Sequence, residues 1–388
     1  MNLFERIKIE GYRRLHNVEI EMRPLTVMIG ANGVGKTSLL EIFSLIAASA
    51  NGQLEPKISE LGGLNEIITR DKANKIAIYL IDALIKPWSS SAFDYCLEVT
   101  PKGLAYKISL ETLTEKDYTR SSQPVTVKYI ESRNLDVKYL SPESQKLLTP
   151  EWEYNHLETS LSQVPKIYRF SEIFRKHLAS CAFYGPLNVT SKSPVRLPQQ
   201  MRPVRLPGTN GEDLVSCLYY LRETDSERFE IIVDTLAAAF PDFERLAFPP
   251  VAAGTITMTW KDKNFSQPIY MHQLSEGTLR FIWLVTLLQS PGLTAVTLID
   301  EPEVSLHPEL LRLLADLMRE ASQRTQLIVA THSDRLIGFL KPEEVLICDT
   351  TEDGLTTMKW GDSFDLKHWL EDYSLDQIWA MNLIGGRP

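Results

Sequence analysis

The sequence predicts an α/β protein whose main sheet is assembled from both ends of the chain. Near the N-terminus, "FERIKIEGYRRLHNVEIEM" indicates two short strands around a turn at Gly11. The apolar run "PLTVMIG" follows, and then the helical pattern of "TSLLEIFSLIAASA". After residue 291, the strand-like runs "LTAVTLID" and "QLIVATHS" flank a helix that begins near Pro308. Strand–helix alternation at both ends indicates a mixed or parallel core sheet that the two ends share.

The middle of the chain predicts two further parts. Runs such as "KIAIYLIDALI", "FDYCLEVT" and "LAYKISLETL" indicate an antiparallel β subdomain, with β-rich insertions at about 75–165. Helical patterns in "GEDLVSCLYYLRE", "DSERFEIIVDTLAAAF" and "FIWLVTLL" indicate a helical lobe. We therefore predict a single domain over residues 1–388, with a core lobe at 1–187 and 291–388 and a helical lobe at 188–290.

The composition is that of a folded protein with a sizeable core, since 44% of the 388 residues are hydrophobic. No run reaches the roughly 18 apolar residues that a membrane helix needs, and no signal peptide is recognisable. We therefore expect a cytoplasmic protein without a membrane partner. The net charge of −9 means that nucleic-acid binding would need a local basic face. Buried free thiols are expected, with a disulfide or zinc site as the alternative, at Cys96, Cys181, Cys217 and Cys348.

A phosphate-binding loop is predicted at "GANGVGKTS", which fits G-x-x-x-x-G-K-[ST] between a strand and a helix. Glycine permits left-handed backbone, so that successive N–H groups can surround an anion at the start of the helix. Lys36 can reach the β- and γ-phosphates, and the Thr37 hydroxyl can ligate Mg²⁺. The alternative is a glycine-rich turn capped by threonine. The predicted nucleotide-binding residues are Gly30, Asn32, Gly33, Gly35, Lys36, Thr37 and Ser38.

Two other apolar strands end in residues suited to phosphate chemistry. "AVTLIDEPE" carries Asp300, which can hold Mg²⁺, and Glu301, which can deprotonate the attacking water. Glu303 is a weaker candidate, and an exposed acidic pair without a site role is the alternative. "QLIVATHS" ends with His332, which can contact a γ-phosphate or the attacking water by a hydrogen bond.

The stretch "HQLSEGTLR" indicates a second helix start that suits a phosphate. Ser275 can cap the helix that begins with Glu276, and Gly277 allows close approach of another backbone. Simple capping would also explain the serine. The order along the chain favours a site role, because the phosphate loop, this helix start, the acidic strand end and the histidine follow one another.

With these four motifs in this order, the sequence resembles the ABC-type ATPases, and within them the SMC/RecF/OLD-like branch. "LSEGTLR" departs from the LSGGQ of transporters, because Glu276 replaces a glycine and Thr278 a glutamine. It looks more like the "LSDGT" form in predicted ATPases of that branch. "IKIEGYRRLHNVEI", "SPVRLP…NGEDL", "IDEPEVSLHP" and "VATHS" match the branch as well. The resemblance covers most of the chain from Ile7 to Ser333, loosely in the middle.

The resemblance implies an ABC-ATPase head with a helical signature lobe that binds and hydrolyses ATP with Mg²⁺. It implies that Lys36 and Thr37 bind phosphate and Mg²⁺, that Asp300 binds Mg²⁺, that Glu301 is the general base and that His332 is a switch residue.

In this superfamily the signature serves the ATP of a second subunit, so the resemblance implies that Ser275 and Gly277 act in trans within a homodimer, with a higher oligomer also open. Arg13 is the candidate for the N-terminal basic residue that touches the nucleotide in SMC-like heads. Gln163 is the candidate for the glutamine that senses Mg²⁺.

What the sequence lacks bears on its partners. Residues 38–274 show no sustained heptads and contain several prolines, so we expect a head without coiled-coil arms. The stretch after His332 has no second carboxylate cluster typical of a fused nuclease domain. A nuclease or toxin effector is therefore expected on a separate chain.

Two classes of function stay open. One is an ATP-driven dimerising switch that gates a partner effector, as in prokaryotic anti-phage systems. The other is a DNA-repair or recombination ATPase that clamps DNA directly. Arg196, Arg202 and Arg205, with Lys192 just before them, could contact a DNA backbone, be solvated, or pack on the head. We favour the first class because the chain is acidic and has neither arms nor a built-in effector.

Overall fold

The structure, a computed structural model, describes residues 4–84, 91–117, 125–366 and 368–386. Its strands are β1 (Arg6–Glu10), β2 (Val18–Glu21), β3 (Leu25–Ile29), β4 (Ile76–Leu84), β5 (Ser91–Lys102), β6 (Ala105–Asp117), β7 (Val125–Arg133), β8 (Asp136–Leu140), β9 (Leu147–Leu148), β10 (Ala182–Tyr184), β11 (Gln199–Gln200), β12 (Phe243–Ala247), β13 (Pro250–Ala252), β14 (Thr255–Ile256), β15 (Thr259–Asp262), β16 (Ile269–Tyr270), β17 (Val296–Asp300), β18 (Gln326–Ala330), β19 (Val345–Thr350) and β20 (Thr356–Trp360). Its helices are α1 (Lys36–Ala50), α2 (Leu54–Glu60), α3 (Leu64–Ile67), α4 (Arg169–Ala179), α5 (Leu214–Thr224), α6 (Ser226–Ala239), α7 (Glu276–Gln289), α8 (Leu310–Ser322), α9 (Asp334–Ile337), α10 (Trp369–Asp372) and α11 (Leu375–Ala380).

A six-stranded sheet forms the centre of the molecule, in the order β10-β17-β18-β3-β19-β20. Its strands are parallel except for β20, which pairs antiparallel with β19. Strand β3 lies between β18 and β19, so an N-terminal strand sits in the middle of C-terminal ones. The predicted core sheet, assembled from both chain ends, is confirmed. Burial on both faces explains why β3, β17 and β18 are apolar almost throughout.

An eight-stranded antiparallel sheet forms the second part, in the order β2-β1-β4-β5-β6-β7-β8-β9. This confirms the predicted antiparallel β subdomain. The N-terminal hairpin of β1 and β2 belongs to it, because β1 pairs with β4 along its length. The hairpin thus connects this sheet directly to β3 and the phosphate loop that follows.

The core sheet separates two hydrophobic clusters. One face of the three central strands contributes residues such as Val27, Ile299 and Val329, which pack with α5, α7 and α8. The opposite face contributes residues such as Met28 and Leu298, which pack with α1 and the antiparallel sheet. The period-2 alternation of a strand therefore assigns neighbouring residues to different layers.

Helices α5, α6 and α7 pack together beside the sheet, and two small three-stranded sheets, β11-β14-β13 and β12-β15-β16, accompany them. The predicted helical part is present and also contains these strands. The longest helix of the described residues, α1, has 15 residues, so no coiled-coil arm is found among them. Within the same residues no helix is long and apolar enough to cross a membrane. All four cysteines are free, and Cys96, Cys217 and Cys348 are buried.

Register brings three strand ends to one edge. Asp300 at the end of β17 pairs with Ala330 of β18, and Ala330 pairs with Met28 of β3. The residues that follow these strands are therefore neighbours in space, although β3 comes from the opposite end of the chain.

Candidate functional site

The phosphate loop follows β3 as predicted, and its three glycines have positive φ. Gly30, Gly33 and Gly35 have φ angles of 149°, 76° and 109°. A Cβ atom at Gly30 would lie 2.3 Å from the Cys348 carbonyl oxygen, and one at Gly35 would lie 2.6 Å from the Thr356 hydroxyl. Gly33 faces open space, so only its backbone conformation requires glycine.

Lys36 occupies the loop that it is expected to serve. Its ammonium group donates to the carbonyl oxygens of Gly30 and Ala31, at 2.6 and 3.0 Å, and lies 3.3 Å from Nδ1 of His332. The side chain is buried, and this desolvation lowers its pKa. The two carbonyl groups therefore hold the ammonium group within the loop, where a phosphate would compete with them for its hydrogen bonds.

Thr37 and Ser38 begin α1 with accessible side chains, and Asn32 is exposed on the loop. Among the described residues the Thr37 hydroxyl has no hydrogen-bond partner, so it is free to bind a ligand. No group of three or more His, Cys, Asp or Glu residues suited to a metal is found in the described part of the chain.

The acidic end of β17 has an unusual backbone. Glu301 has a φ angle of 51°, in the left-handed region that residues other than glycine rarely adopt. Its N–H donates to the Ala330 carbonyl of the neighbouring strand at 2.8 Å, which maintains this conformation. The turn directs the carboxylate toward His332, whose Nε2 lies 3.3 Å from Glu301 Oε1.

His332 thus bridges the two halves of the site. Its two ring nitrogens lie within 3.3 Å of Lys36 on one side and of Glu301 on the other. Desolvation and the nearby Lys36 charge lower its pKa, so that the neutral imidazole is favoured.

Glu303 has a larger role than the sequence indicated. Its Oε1 accepts hydrogen bonds from the Thr331 hydroxyl at 2.6 Å and from the His332 N–H at 3.1 Å. The carboxylate therefore links the loop after β17 to the end of β18 and positions the backbone of His332. Its other oxygen, Oε2, is buried and has no hydrogen-bond partner within the described residues.

The three carboxylates share one electrostatic environment. Desolvation is the largest cause that raises the pKa of Asp300, and the charge of Glu303 adds to it. Desolvation and Glu303 together raise the pKa of Glu301 to about 8. Because like charges this close disfavour one another, cations or donated protons are needed at this edge near neutral pH.

The helix start at Ser275 is present, and it is exposed. Ser275 Oγ accepts from the Thr278 N–H at 3.1 Å and contacts the Thr278 hydroxyl at 2.7 Å, so it caps α7 as predicted. A Cβ atom at Gly277 would lie 2.6 Å from the Ser305 carbonyl oxygen. The close backbone approach expected at this glycine is therefore made by the loop that follows Asp300 and Glu301 of the same chain.

Arg13 lies at the turn of the N-terminal hairpin, beside α1. Its Nε forms an ion pair with Oε2 of Glu41 at 2.9 Å, and the Tyr12 hydroxyl donates a hydrogen bond to the same oxygen at 2.9 Å. Glu41 lies one helical turn after Thr37, and its charge is one of the causes that raise the pKa of Asp300. Arg13 is thus placed beside the phosphate loop, with an acidic partner that sequence reasoning had missed.

Other residues singled out in the sequence are engaged elsewhere. The Gln163 amide closes its own loop, since its Nε2 donates to three carbonyl oxygens, those of Asn155, Glu158 and Thr159. Arg196 donates to three backbone carbonyl groups, two of them, at 272 and 274, just before Ser275. Arg202 forms an ion pair with Asp213. Arg196 therefore links its segment to the residues just before α7, whereas the ion pair of Arg202 lies at the surface.

Two supporting residues left no recognisable signal in the sequence. The Thr356 hydroxyl donates to the Val34 carbonyl in the phosphate loop at 2.7 Å, from the opposite end of the chain. Arg280 on α7 lines a small cleft with Asp300 and Glu301, and desolvation lowers its pKa. A threonine on a strand and an arginine in a helix are too common for their pattern to indicate these contacts.

The fold and this edge are those of an AAA-type ATPase with the fold of SMC heads. The chain belongs to the family described as "AAA domain, putative AbiEii toxin, Type IV TA system", whose model matches residues 25–338. No curated protein sequence matches the chain.

Solved structures support the fold. The chain is similar to an SMC head bound to the C-winged helix domain of ScpA, with a TM-score of 0.54 and 14% identity over 95% of this chain and 99% of the other. It is also similar to an SMC head with an extended coiled coil, bound to the C-terminal domain of ScpA derived from Pyrococcus furiosus. There the TM-score is 0.50 and the identity 12% over 96% of this chain and 99% of the other. At these identities the likeness concerns the fold.

The packing at Gly277 predicts an inverted response to a helix-favouring substitution. Alanine normally stabilises a helix by about 1 kcal/mol relative to glycine. Here we expect Gly277→Ala to destabilise the protein by about 1–3 kcal/mol, because the methyl group would push the Ser305 backbone away. Urea unfolding followed by circular dichroism measures the difference. A more stable variant would show that the two backbones are not held together.

The electrostatics of Glu301 predict a pH-dependent stability difference in the nucleotide-free protein. The folded state raises the pKa of this carboxyl from 4.5 to about 8. Its contribution to the free energy of unfolding is therefore complete below pH 4.5 and is lost as the pH rises through 8. A neutral amide avoids that loss. We therefore expect Glu301→Gln to match the wild type at pH 5 and to melt roughly 2–6 °C higher at pH 9.

Thermal unfolding across this pH range measures the effect, with Glu143→Gln as the control, since Glu143 is an exposed glutamate. Parallel curves for the Glu301 variant and the wild type would contradict the electrostatic assignment.

Proposed function

We propose that the protein hydrolyses ATP with Mg²⁺ in a pocket completed by a second copy of the chain, and that this dimerisation switches a partner effector protein. The observation that carries the proposal is the continuous chain of contacts from Lys36 through His332 to Glu301. It joins a phosphate-binding group to an acid that can act on water.

The residues at the edge suit this reaction. Lys36 would exchange its two carbonyl partners for phosphate oxygens. The Thr37 hydroxyl and Asp300 would hold Mg²⁺, which supplies positive charge to the phosphates and to the crowded carboxylates. Glu301 would then accept the proton of the attacking water while His332 contacts the transferred phosphoryl group.

The position of α7 supports sharing of the pocket. Ser275 and Glu276 are exposed at the N-terminus of a 14-residue helix, and both hydrogen bonds of Ser275 stay within its own turn. A helix N-terminus with N–H groups facing solvent suits the phosphates of a nucleotide held by another copy. In a homodimer with two-fold symmetry, each copy would complete the pocket of the other.

A separate effector fits the remaining observations. The family description names a toxin and a toxin–antitoxin system, and the similar SMC head is bound to a domain of another protein. The chain is acidic, Arg196 is bonded to backbone carbonyl groups, and the charge of Arg202 is paired with Asp213, so these two arginines favour direct DNA clamping little. We therefore propose a nuclease or toxin effector, in an anti-phage setting, as the partner that the ATPase gates.

The split pocket predicts that ATP traps a dimer when hydrolysis is blocked. Glu301→Gln removes the proton acceptor and leaves the phosphate loop intact, so we expect slow turnover and a dimer with ATP and Mg²⁺. Size-exclusion chromatography with light scattering measures the mass. Lys36→Ala should lose ATP affinity at least tenfold and stay monomeric, whereas Lys359→Ala, at an exposed lysine, should behave as the wild type.

In the same assay, Ser275→Arg should still bind ATP as a monomer but lose turnover, because a large cation would block the contact between copies. Ser226→Arg is the matched control, since Ser226 is an exposed serine at the start of α6. A monomeric Glu301→Gln with ATP bound, or full turnover by Ser275→Arg, would remove the basis for a shared pocket.

Effector gating predicts that partner binding differs between nucleotide states. Tagged Glu301→Gln should stay in the ATP-bound dimer, and tagged Lys36→Ala should stay in the monomer without nucleotide. When each is expressed in the native host, a nuclease or toxin should be enriched at least tenfold with one of them. Quantitative mass spectrometry measures the ratio. If instead the purified chain alone binds duplex DNA in a salt-sensitive, ATP-dependent manner and no effector is enriched, the DNA-clamping class is correct.

A further inference from the structure

The segment after α11 reaches the phosphate loop from the far end of the chain. A methyl group at Gly386 would lie 3.6 Å from the Cα atom of Gly30, the first glycine of the loop. The same methyl group would lie 3.1 Å from the Cys348 carbonyl oxygen, which also stands 2.3 Å from the Cβ position of Gly30. Three backbone segments, at Gly30, Cys348 and Gly386, therefore meet with no room for side chains between them.

Two directed hydrogen bonds hold this segment in place. The buried indole N–H of Trp379 donates to the Gly386 carbonyl at 2.7 Å, and the Gly386 N–H donates to Asp349 Oδ2 at 3.1 Å. Both polar groups of the Gly386 backbone are thereby used. Asp349 follows Cys348 on β19, the strand next to β3, so the anchor and the phosphate loop belong to adjacent strands.

The backbone conformation here requires glycine twice. Gly385 and Gly386 have φ angles of 76° and 65°. A Cβ atom at Gly385 would lie 2.9 Å from Asp349 Oδ2, and one at Gly386 would lie 2.9 Å from the Ile347 side chain. Such a pair of left-handed glycines turns the chain sharply toward the strand ends.

We propose that Gly386, held by Asp349 and Trp379, is a positioning residue for the phosphate loop and so sets the affinity for nucleotide. The inference rests on the proposed ATPase function. The close packing restricts the backbone at Gly30, whose carbonyl accepts a hydrogen bond from Lys36. Loss of the contact leaves the loop to sample other conformations, and nucleotide must then select the competent one.

The expected effect follows from population arithmetic. If the fraction of molecules with a binding-competent loop falls to about one tenth, the apparent dissociation constant for ATP rises about tenfold. Saturating ATP restores the competent loop, so kcat changes by no more than about twofold while KM rises. Linkage is reciprocal, so nucleotide must in turn stabilise the docked segment.

The test compares ATP binding and turnover in Gly386→Ala and Gly103→Ala. Gly103 has a φ angle of 64° and open space at its Cβ position, so its substitution carries the same backbone strain without the contact. Isothermal titration calorimetry with ATP and Mg²⁺ should show a dissociation constant about tenfold larger for Gly386→Ala than for the wild type. The dissociation constant of Gly103→Ala should be unchanged. Equal affinities in the two variants would overturn the proposal.

A second pair keeps the test independent of strain. Asp349 is exposed, so Asp349→Ala removes the acceptor for the Gly386 N–H at the surface, whereas Asp349→Asn retains an oxygen acceptor. We expect weaker ATP binding for the alanine variant and recovery toward wild type for the asparagine variant. An alanine variant with wild-type affinity would count against the role of this anchor.

Hydrogen exchange in the wild type gives the reciprocal readout. ATP should slow amide exchange in residues 379–386 at least severalfold and leave the turn at Gly103 unchanged. Exchange in 379–386 that is indifferent to ATP would contradict the coupling. If the wild type itself binds no ATP, the proposed function fails; if it binds and Gly386→Ala binds equally well, only the positioning role fails.

Discussion

Three parallel strands from opposite ends of the chain place their carboxyl ends at one edge of the sheet, and the site depends on that register. Asp300, Ala330 and Met28 are consecutive partners across β17, β18 and β3. Because parallel strands place their carboxyl ends on the same side, Lys36, Glu301 and His332 come within contact of one another. A shift of the register by one residue would turn the acid away, since successive side chains point to opposite faces.

Burial disfavours charge on the ionisable groups at this edge. Burial and mutual repulsion raise the pKa values of Asp300 and Glu301, while burial lowers those of Lys36 and His332. All four shifts disfavour charge, which is what desolvation does to groups of either sign. A bound nucleotide and cation would add charges of both signs in fixed positions. The left-handed backbone at Glu301 stores local strain at the same point, a feature typical of functional sites.

The phosphate loop is supported from several parts of the chain. Thr356 bonds to its carbonyl at Val34, and Gly386 packs against its first glycine. The hairpin at Arg13 lies against the helix that follows it. These supports come from the edge strand β20 of the core sheet, from the hairpin of the antiparallel sheet and from the last described segment. The exposed signature turn at Ser275 is coupled to the acids in a similar way, through the contact of Gly277 with the Ser305 backbone.

The sequence by itself determined the core of this description, because the decisive patterns are local. A strand, a glycine-rich loop and a helix are contiguous around Lys36, and the acidic strand end and the histidine each close a buried run. Only the tertiary structure decided which residues support them. Glu303 bonds to the His332 backbone, Gly386 reaches the phosphate loop, and Gln163 closes its own loop, by contacts that depend on how distant segments pack. Such contacts join residues that have no fixed spacing in the sequence, so neither periodicity nor motifs predict them.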